Sequence, residues 1–439
     1  VPSTSSSPAA VPGAPSTLWR DRDFRRLWVG QTVSQLGEHT SLVVLPLFAV
    51  LTLHAGAGQL GALRAVEQAP ILPLSLFVGA WVDRWRPRAL MVPADAGRAL
   101  ALAAVAVAGL LGGLGLPALF VVAFAVGALS VFFDVAYQAS LVRLVPRDQL
   151  VRGNSALEGS RSAAQIGGPA LGGALVTALS APIAAATGAL FFTLSFLSIR
   201  RIGRRESAPE RPAHPPRIGR HIHEGLRFVA GDPTLRAVCL ASAAFQFFFS
   251  AVTTCCLLFL PRELRLPGTV VGSVLAAAGP GALLGSLLAA RLPGRFGRGA
   301  VLLSAAALGD GAFLLVPALH GSPAVTVPAL LAVNVVFGTC GQLVNVTLMA
   351  VRQAVTPDGM QGRAAATINF AGMGLTPLGS LLGGFLAEAW GTRTGLLVTA
   401  AGMLLSPAVM ALSPLGRLGR TPPAPPDTPA ATGAHDRAR

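Results

Sequence analysis

Residues 116–141 read LPALFVVAFAVGALSVFFDVAYQASL, an apolar run whose one charge is Asp134. About 20 apolar residues in a helix cross the hydrocarbon core of a bilayer. A run of this length is therefore read as a membrane span. Working outward, stretches of the same character lie near 27–51, 58–82, 89–113, 154–179, 182–199, 235–260, 268–290, 300–319, 323–349, 364–388 and 394–413. The fifth and sixth run together around Ser180-Ala181-Pro182, where the proline marks the turn. Composition agrees. Of 439 residues, 52% are hydrophobic and 12% charged, about half the charge of a soluble protein, and the mean hydropathy is +0.62. The expected fold is an all-α integral membrane protein with twelve transmembrane helices.

A net charge of +15 would suggest nucleic acid in a soluble chain. Here the basic residues stand between apolar runs, so nucleic acid is not the expected partner. All 34 are Arg. Without lysine there is no Walker-type phosphate loop, Schiff-base amine or kinase site in this sequence. Cys239, Cys255, Cys256 and Cys340 all fall in apolar segments and show neither zinc-ligand spacing nor a disulfide framework. They read as small packing residues, and no metal or cofactor is expected.

Arginine placement orients the spans. With both termini inside, 28 Arg fall on the cytoplasmic side and three, Arg262, Arg265 and Arg393, outside; Arg64, Arg98 and Arg161 lie within spans. This bias predicts cytoplasmic termini and an even number of spans. Residues 1–18 and 416–439 read as disordered cytoplasmic tails, and no cleaved signal peptide is expected. The longest polar break, 200–233, separates a six-helix half over 19–199 from another over 234–415. In that break Ile218, Ile222, Leu226 and Val229 recur at helical spacing beside Arg220, His221 and Arg227. The pattern fits either an amphipathic helix on the inner leaflet or a solvated linker helix.

The chain also matches itself at an offset of 211 residues. Asp21, Arg25, Arg84, Gly127, Pro146 and Arg152 fall on Asp232, Arg236, Arg295, Gly338, Pro357 and Arg363, and Gly168, Gly172 and Gly173 on Gly379, Gly383 and Gly384. Two parallel, pseudo-symmetric halves follow, with a substrate site expected at their interface near the bilayer midplane.

Polar side chains are costly in a bilayer, so their spacing shows which face avoids lipid. The first span carries Gln31, Ser34, Gln35 and Glu38; the fourth Ser130, Asp134, Tyr137 and Gln138; the seventh Gln246, Ser250, Thr253 and Thr254; the tenth Asn334, Gln342 and Asn345. Matching stripes in both halves point to the lining of a cavity, with Arg161 of the fifth span a further candidate; hydrogen bonding between helices is the other reading. Glu38, followed by His39, sits near mid-span with no other obvious basic neighbour and is the first choice for a proton-coupling group. Glu67 either joins it or pairs with Arg64 to fix a helix contact. Asp95–Arg98 and Glu158–Arg161 read as structural i, i+3 pairs.

Gly79-Ala80-Trp81-Val82-Asp83-Arg84-Trp85-Arg86-Pro87-Arg88 resembles the Gly-x-x-x-Asp-Arg-x-Gly-Arg-Arg signature of the major facilitator superfamily, with Arg86-Pro87 in place of Gly-Arg. The resemblance implies a cytoplasmic gate in which Asp83 faces the start of the eleventh span and Arg84 or Arg88 reaches Asp134. Gly168-Pro169-Ala170-Leu171-Gly172-Gly173 is similar to the antiporter signature of exporters in that superfamily, with Ala164 in place of its first glycine. The opening Trp19-Arg20-Asp21-Arg22-Asp23-Phe24-Arg25-Arg26-Leu27-Trp28, with Gly30-Gln31, and Leu144-Val145-Pro146-Arg147-Asp148-Gln149-Leu150 before Gly153-Asn154-Ser155, resemble the twelve-span siderophore and macrolide exporter group. The superfamily's usual arginine in the fourth span is missing here, and by the resemblance Arg98 or Arg161 is the candidate for its role in proton handling. The expectation is proton-coupled efflux of a small amphiphilic molecule by a monomer in a bacterial inner membrane, with no bond of the substrate changed. An importer or uniporter of the same fold, or a non-transporting receptor, is the alternative.

Overall fold

The computed structural model describes residues 18–74, 86–146, 149–203, 218–357 and 360–419. Among these, ten helices are long and apolar enough to cross a membrane. The first half comprises α1 (Arg22–Leu51), α2 (Ala57–Gln68), α3 (Pro87–Leu110), α4 (Leu116–Leu144), α5 (Leu150–Leu179) and α6 (Ala181–Arg200). A linker helix, α7 (Ile218–Gly231), leads into α8 (Pro233–Arg262), α9 (Gly268–Ala276), α10 (Ala278–Ala289), α11 (Leu292–Phe296) and α12 (Arg298–Ala312). After it come α13 (Pro323–Val355), α14 (Gln361–Gly374), α15 (Thr376–Trp390), α16 (Thr392–Met403) and α17 (Leu405–Ala411). Two expected spans fall outside the ten. The stretch 58–82 runs into residues outside the described set. The stretch 154–179 forms part of the helix α5, whose Gln165 and repeated glycines make it less apolar.

The repeat is visible in detail. Asp21 caps α1 by accepting the Asp23 and Phe24 amides, and Asp232 caps α8 by accepting those of Thr234 and Leu235. An N-cap carboxylate satisfies amides that have no partner within the helix. The turn between the last two spans of each half also recurs. Ser180 (φ 104, ψ 157) separates α5 from α6, and Gly391 (φ 83, ψ 156), 211 positions on, separates α15 from α16.

The halves meet along two seams. A Cβ at Gly173 of α5 would stand 2.9 Å from the Gly272 Cα of α9. A Cβ at Gly384 of α15 would stand 2.8 Å from the Gly61 Cα of α2. The two contacts are the same contact shifted by 211 residues. Only glycine permits such backbone approach. Gln68 Nε2 donates to Ser380 Oγ at 3.3 Å, Thr269 N to Thr177 Oγ1 at 2.8 Å, and Arg262 to the Ala55 carbonyl. The Thr269–Thr177 and Arg262–Ala55 contacts lie at the end of the bundle where α1 finishes, and the Gln68–Ser380 contact lies deeper, twelve residues into α2.

The linker helix docks on the second half. Glu224 pairs with Arg363 at 2.7 Å, Val229 is buried with Leu235, Ala364 and Ile368, and a Cβ at Gly225 would meet Thr367. Its packing partner is the helix α14 rather than solvent alone.

Candidate functional site

Four helices of the first half converge on Arg98, the largest side chain with no exposed surface. Its guanidinium carbon lies over the rings of Phe133 and Phe192, 4.6 and 4.3 Å from their centroids. Aromatic faces at that distance favour the cation. Its Nη2 donates to Asp95 Oδ1 at 2.5 Å and to Ser34 Oγ at 2.8 Å, and Nη1 donates to Ser130 Oγ at 3.1 Å. Asp95 is also fully buried. It accepts Ser34 Oγ at 3.2 Å and, through Oδ2, Ser195 Oγ at 2.5 Å. A buried ion pair is tolerable only when its remaining donors and acceptors are met. Here α1, α3, α4 and α6 supply partners for the rest, and Arg98 Nε alone of its nitrogens has none among the described residues.

Glu38 completes the cluster. Its Oε2 stands 3.5 Å from Arg98 Nη1, buried and without a hydrogen-bond donor among the described residues. The sequence reading gave Glu38 no cation besides His39; folding brings Arg98 to it from another helix. Next to them Gln35 Nε2 donates to Asp134 Oδ1 at 3.1 Å, and Ser160 Oγ to Gln31 Oε1 at 3.2 Å. Glu67 lies 3.7 Å from Arg64, whose Nη1 also reaches the Leu42 carbonyl at 3.4 Å. Tyr137 is buried, with its ring 6.2 Å from that of Phe133; Gln138 is exposed. Arg161 and Glu158 approach to 4.0 Å, both largely exposed.

Arg88, expected near Asp134, donates to the backbone carbonyls of Ile202 and Arg200. Gly79, Asp83 and Arg84 lie outside the described residues. In the antiporter-like segment, Gly168 packs on His39, with a Cβ there falling 2.5 Å from the His39 Cβ, and its carbonyl accepts Thr40 Oγ1 at 3.4 Å. Gly172 packs on Thr40, and Pro169 and Gly173 pack on Gly272 across the seam.

The second half is built differently at the equivalent place. Glu38 plus 211 is Phe249, and Ser34 plus 211 is Phe245. Phe245 and Phe249 stack at 5.4 Å and 7°, Phe249 and Phe337 at 5.2 Å and 17°, and Phe313 meets Phe337 edge-on at 5.0 Å. One half therefore holds charge where the other holds aromatic surface. The i, i+4 spacing of Phe245 and Phe249 was the signal that the polar-stripe reading passed over. The remaining polar candidates here bond locally or across helices. Ser250 bonds to Ser380 at 2.6 Å and to the Thr376 carbonyl at 2.8 Å, Thr254 to the Ser250 carbonyl at 2.9 Å, and Asn334 Nδ2 to the Leu330 carbonyl at 3.0 Å. Gln246 and Gln342 are half-buried beside Gly372 and Gly285, and Asn345 is exposed. The four cysteines are free, and no group of His, Cys, Asp and Glu among the described residues could hold a metal.

The comparisons agree with this architecture. A multidrug efflux pump, Tap, of Mycolicibacterium fortuitum is 27% identical over 86% of this chain and 92% of its own length. YfiS of Bacillus subtilis, an uncharacterised transporter of the major facilitator type, is 24% identical over 85% of this chain and 88% of its own. Among solved structures, a bacterial homologue of the iron transporter ferroportin in its inward-facing state superposes with a TM-score of 0.72 at 18% identity, covering 89% of this chain and 98% of that one. The nucleoside transporter NupG gives 0.71 at 13% identity, covering 89% and 98%. The family described as transmembrane secretion effectors matches residues 14–427. This chain is a multi-pass membrane transporter of small molecules and belongs to that family, within the major facilitator superfamily.

Proposed function

We propose that the chain exports a small amphiphilic molecule in exchange for protons, by alternating access between its two halves. The observation that carries this reading is the Glu38 carboxylate. It lies in the charged cluster of the first half, held 3.5 Å from a buried arginine but bonded to no donor at Oε2. A carboxylate so placed can exchange a proton when the helices around it move, because no hydrogen bond fixes it in one form. The efflux direction is supported by the Tap relatives and by the Gly168–Gly173 segment. With cytoplasmic termini in a bacterial cell membrane, the closed seams face outward and the state is inward-facing. The protein then acts as a monomer, and the substrate leaves chemically unchanged.

Purified protein in proteoliposomes tests the reading. A panel of macrolide and other amphiphilic antibiotics is added with a pH-sensitive dye trapped inside. Substrate addition should drive a proton flux of opposite direction, and Glu38→Gln should abolish it while counterflow of substrate continues. Full proton-linked transport by Glu38→Gln would refute the assignment.

A further inference from the structure

Two carboxylates address the single guanidinium of Arg98, and they do so unequally. Asp95 is met by three donors, Arg98, Ser34 and Ser195, and Glu38 Oε2 by none. The hydrogens on Nε and Nη2 of a guanidinium lie along one edge, which a carboxylate commonly takes with both oxygens. Asp95 takes only half of it. Oδ1 is on Nη2, and Oδ2 is turned away to Ser195 Oγ at 2.5 Å. The consequence is visible on the arginine, where Nε is buried and has no hydrogen-bond partner.

We infer that Ser195 is a positioning residue of the transport cycle: by holding Asp95 Oδ2 off Arg98 Nε, it keeps the Asp95–Arg98 pair one-pronged and leaves the cation shared with Glu38. The inference rests on the reading of Glu38 as the proton carrier and says what sets its exchange. Asp95 is the permanent counter-ion, and Ser195 limits how much of Arg98 it takes. The other charged groups acting on Glu38 come from the neighbouring helices: Glu67 with its partner Arg64 on α2, Asp134 on α4 and Arg161 on α5. His39 follows it on α1. The variants below alter none of them.

Two substitutions should act in opposite directions. In Ser195→Ala, Oδ2 is free to turn onto Nε, Asp95 grips Arg98 with both oxygens, and less of the cation serves Glu38. In Asp95→Asn the competing charge is gone and Glu38 becomes the counter-ion. The measurement is an infrared pH titration of the full-length protein in lipid vesicles, without substrate. The Glu38 carboxyl band is identified as the one lost in Glu38→Gln. The pH at which that band is half gone should move up in Ser195→Ala and down in Asp95→Asn, each on the order of one pH unit. A purely structural role for Ser195 would lower the melting temperature of Ser195→Ala and leave its Glu38 midpoint in place. If Asp95→Asn does not fold, the Ser195→Ala arm decides by itself. A Glu38 band that titrates but is unmoved in Ser195→Ala overturns the inference and leaves the proton-carrier reading standing. A Glu38 band that does not titrate overturns that reading, and the inference with it.

Discussion

Arg98 Nη1 stands 3.5 Å from Glu38 Oε2, while Arg98 Nη2 is committed to Asp95 at 2.5 Å. Both ends of the Asp95–Arg98 pair are fully buried. Removing one partner of a buried pair leaves the other charge uncompensated, at a cost of about 3–5 kcal/mol. Arg98→Met should therefore lose about that much stability in detergent, read as a drop in thermal midpoint. Adding Asp95→Asn should recover part of it, since the stranded charge is then gone. A double variant as unstable as the sum of the two single variants would mean that the residues do not act as a pair.

The two glycine seams predict where transport can be stopped. Gln68 and Ser380 are hydrogen-bonded across the halves at 3.3 Å. Cysteines at these two positions, joined by a short bifunctional thiol reagent, should hold the two halves together along this seam and arrest transport. A cleavable linker should restore it on reduction. Unimpaired transport by the cross-linked protein would show that this seam does not part during the cycle.

Ser180 adopts φ 104 and ψ 157, a region populated almost wholly by glycine, and Gly391 holds the same conformation in the second half. A non-glycine residue there costs roughly 1–3 kcal/mol. Ser180→Gly should accordingly raise stability by about 1 kcal/mol, and Gly391→Ser should lower it by a similar amount, both measured by thermal unfolding. Equal midpoints for wild type and Ser180→Gly would mean that the strain is relieved elsewhere.

The bundle was legible in the sequence because lipid imposes a simple rule on each helix separately. Apolar runs gave the helices, and Asp21 with Asp232 and Gly173 with Gly384 gave the repeat, because caps and close approaches require specific residues. The charged cluster was legible only in part. Asp95 and Arg98 were visible as an i, i+3 pair, but their contacts to Ser34, Ser130, Ser195 and Glu38 come from three other helices, and no spacing along one helix encodes such a meeting. Ser195 gave no signal at all, since a lone serine in an apolar run is ordinary. The stacking of Phe245, Phe249 and Phe337 was hidden for the opposite reason: in a span, phenylalanine is what lipid contact also demands.

The linker helix supplies a last expectation. Glu224 and Arg363 meet at 2.7 Å with about a third of each side chain exposed. Solvent screening limits such a pair to roughly 0–1 kcal/mol, so Glu224→Gln should leave the melting temperature of the whole protein nearly unchanged. The effect should instead be local. α7 is held to α14 by this pair, by the close approach of Gly225 to Thr367 and by the burial of Val229. Losing one of these ties lowers the cost of opening that helix without touching the core of the second half. Amide hydrogen exchange over 223–231 should therefore speed up several-fold in Glu224→Gln, with α8 unaffected. Exchange that rises equally in α7 and α8 would mean that the linker unfolds only together with the bundle, and that the ion pair belongs to the core's stability rather than to the docking of the helix.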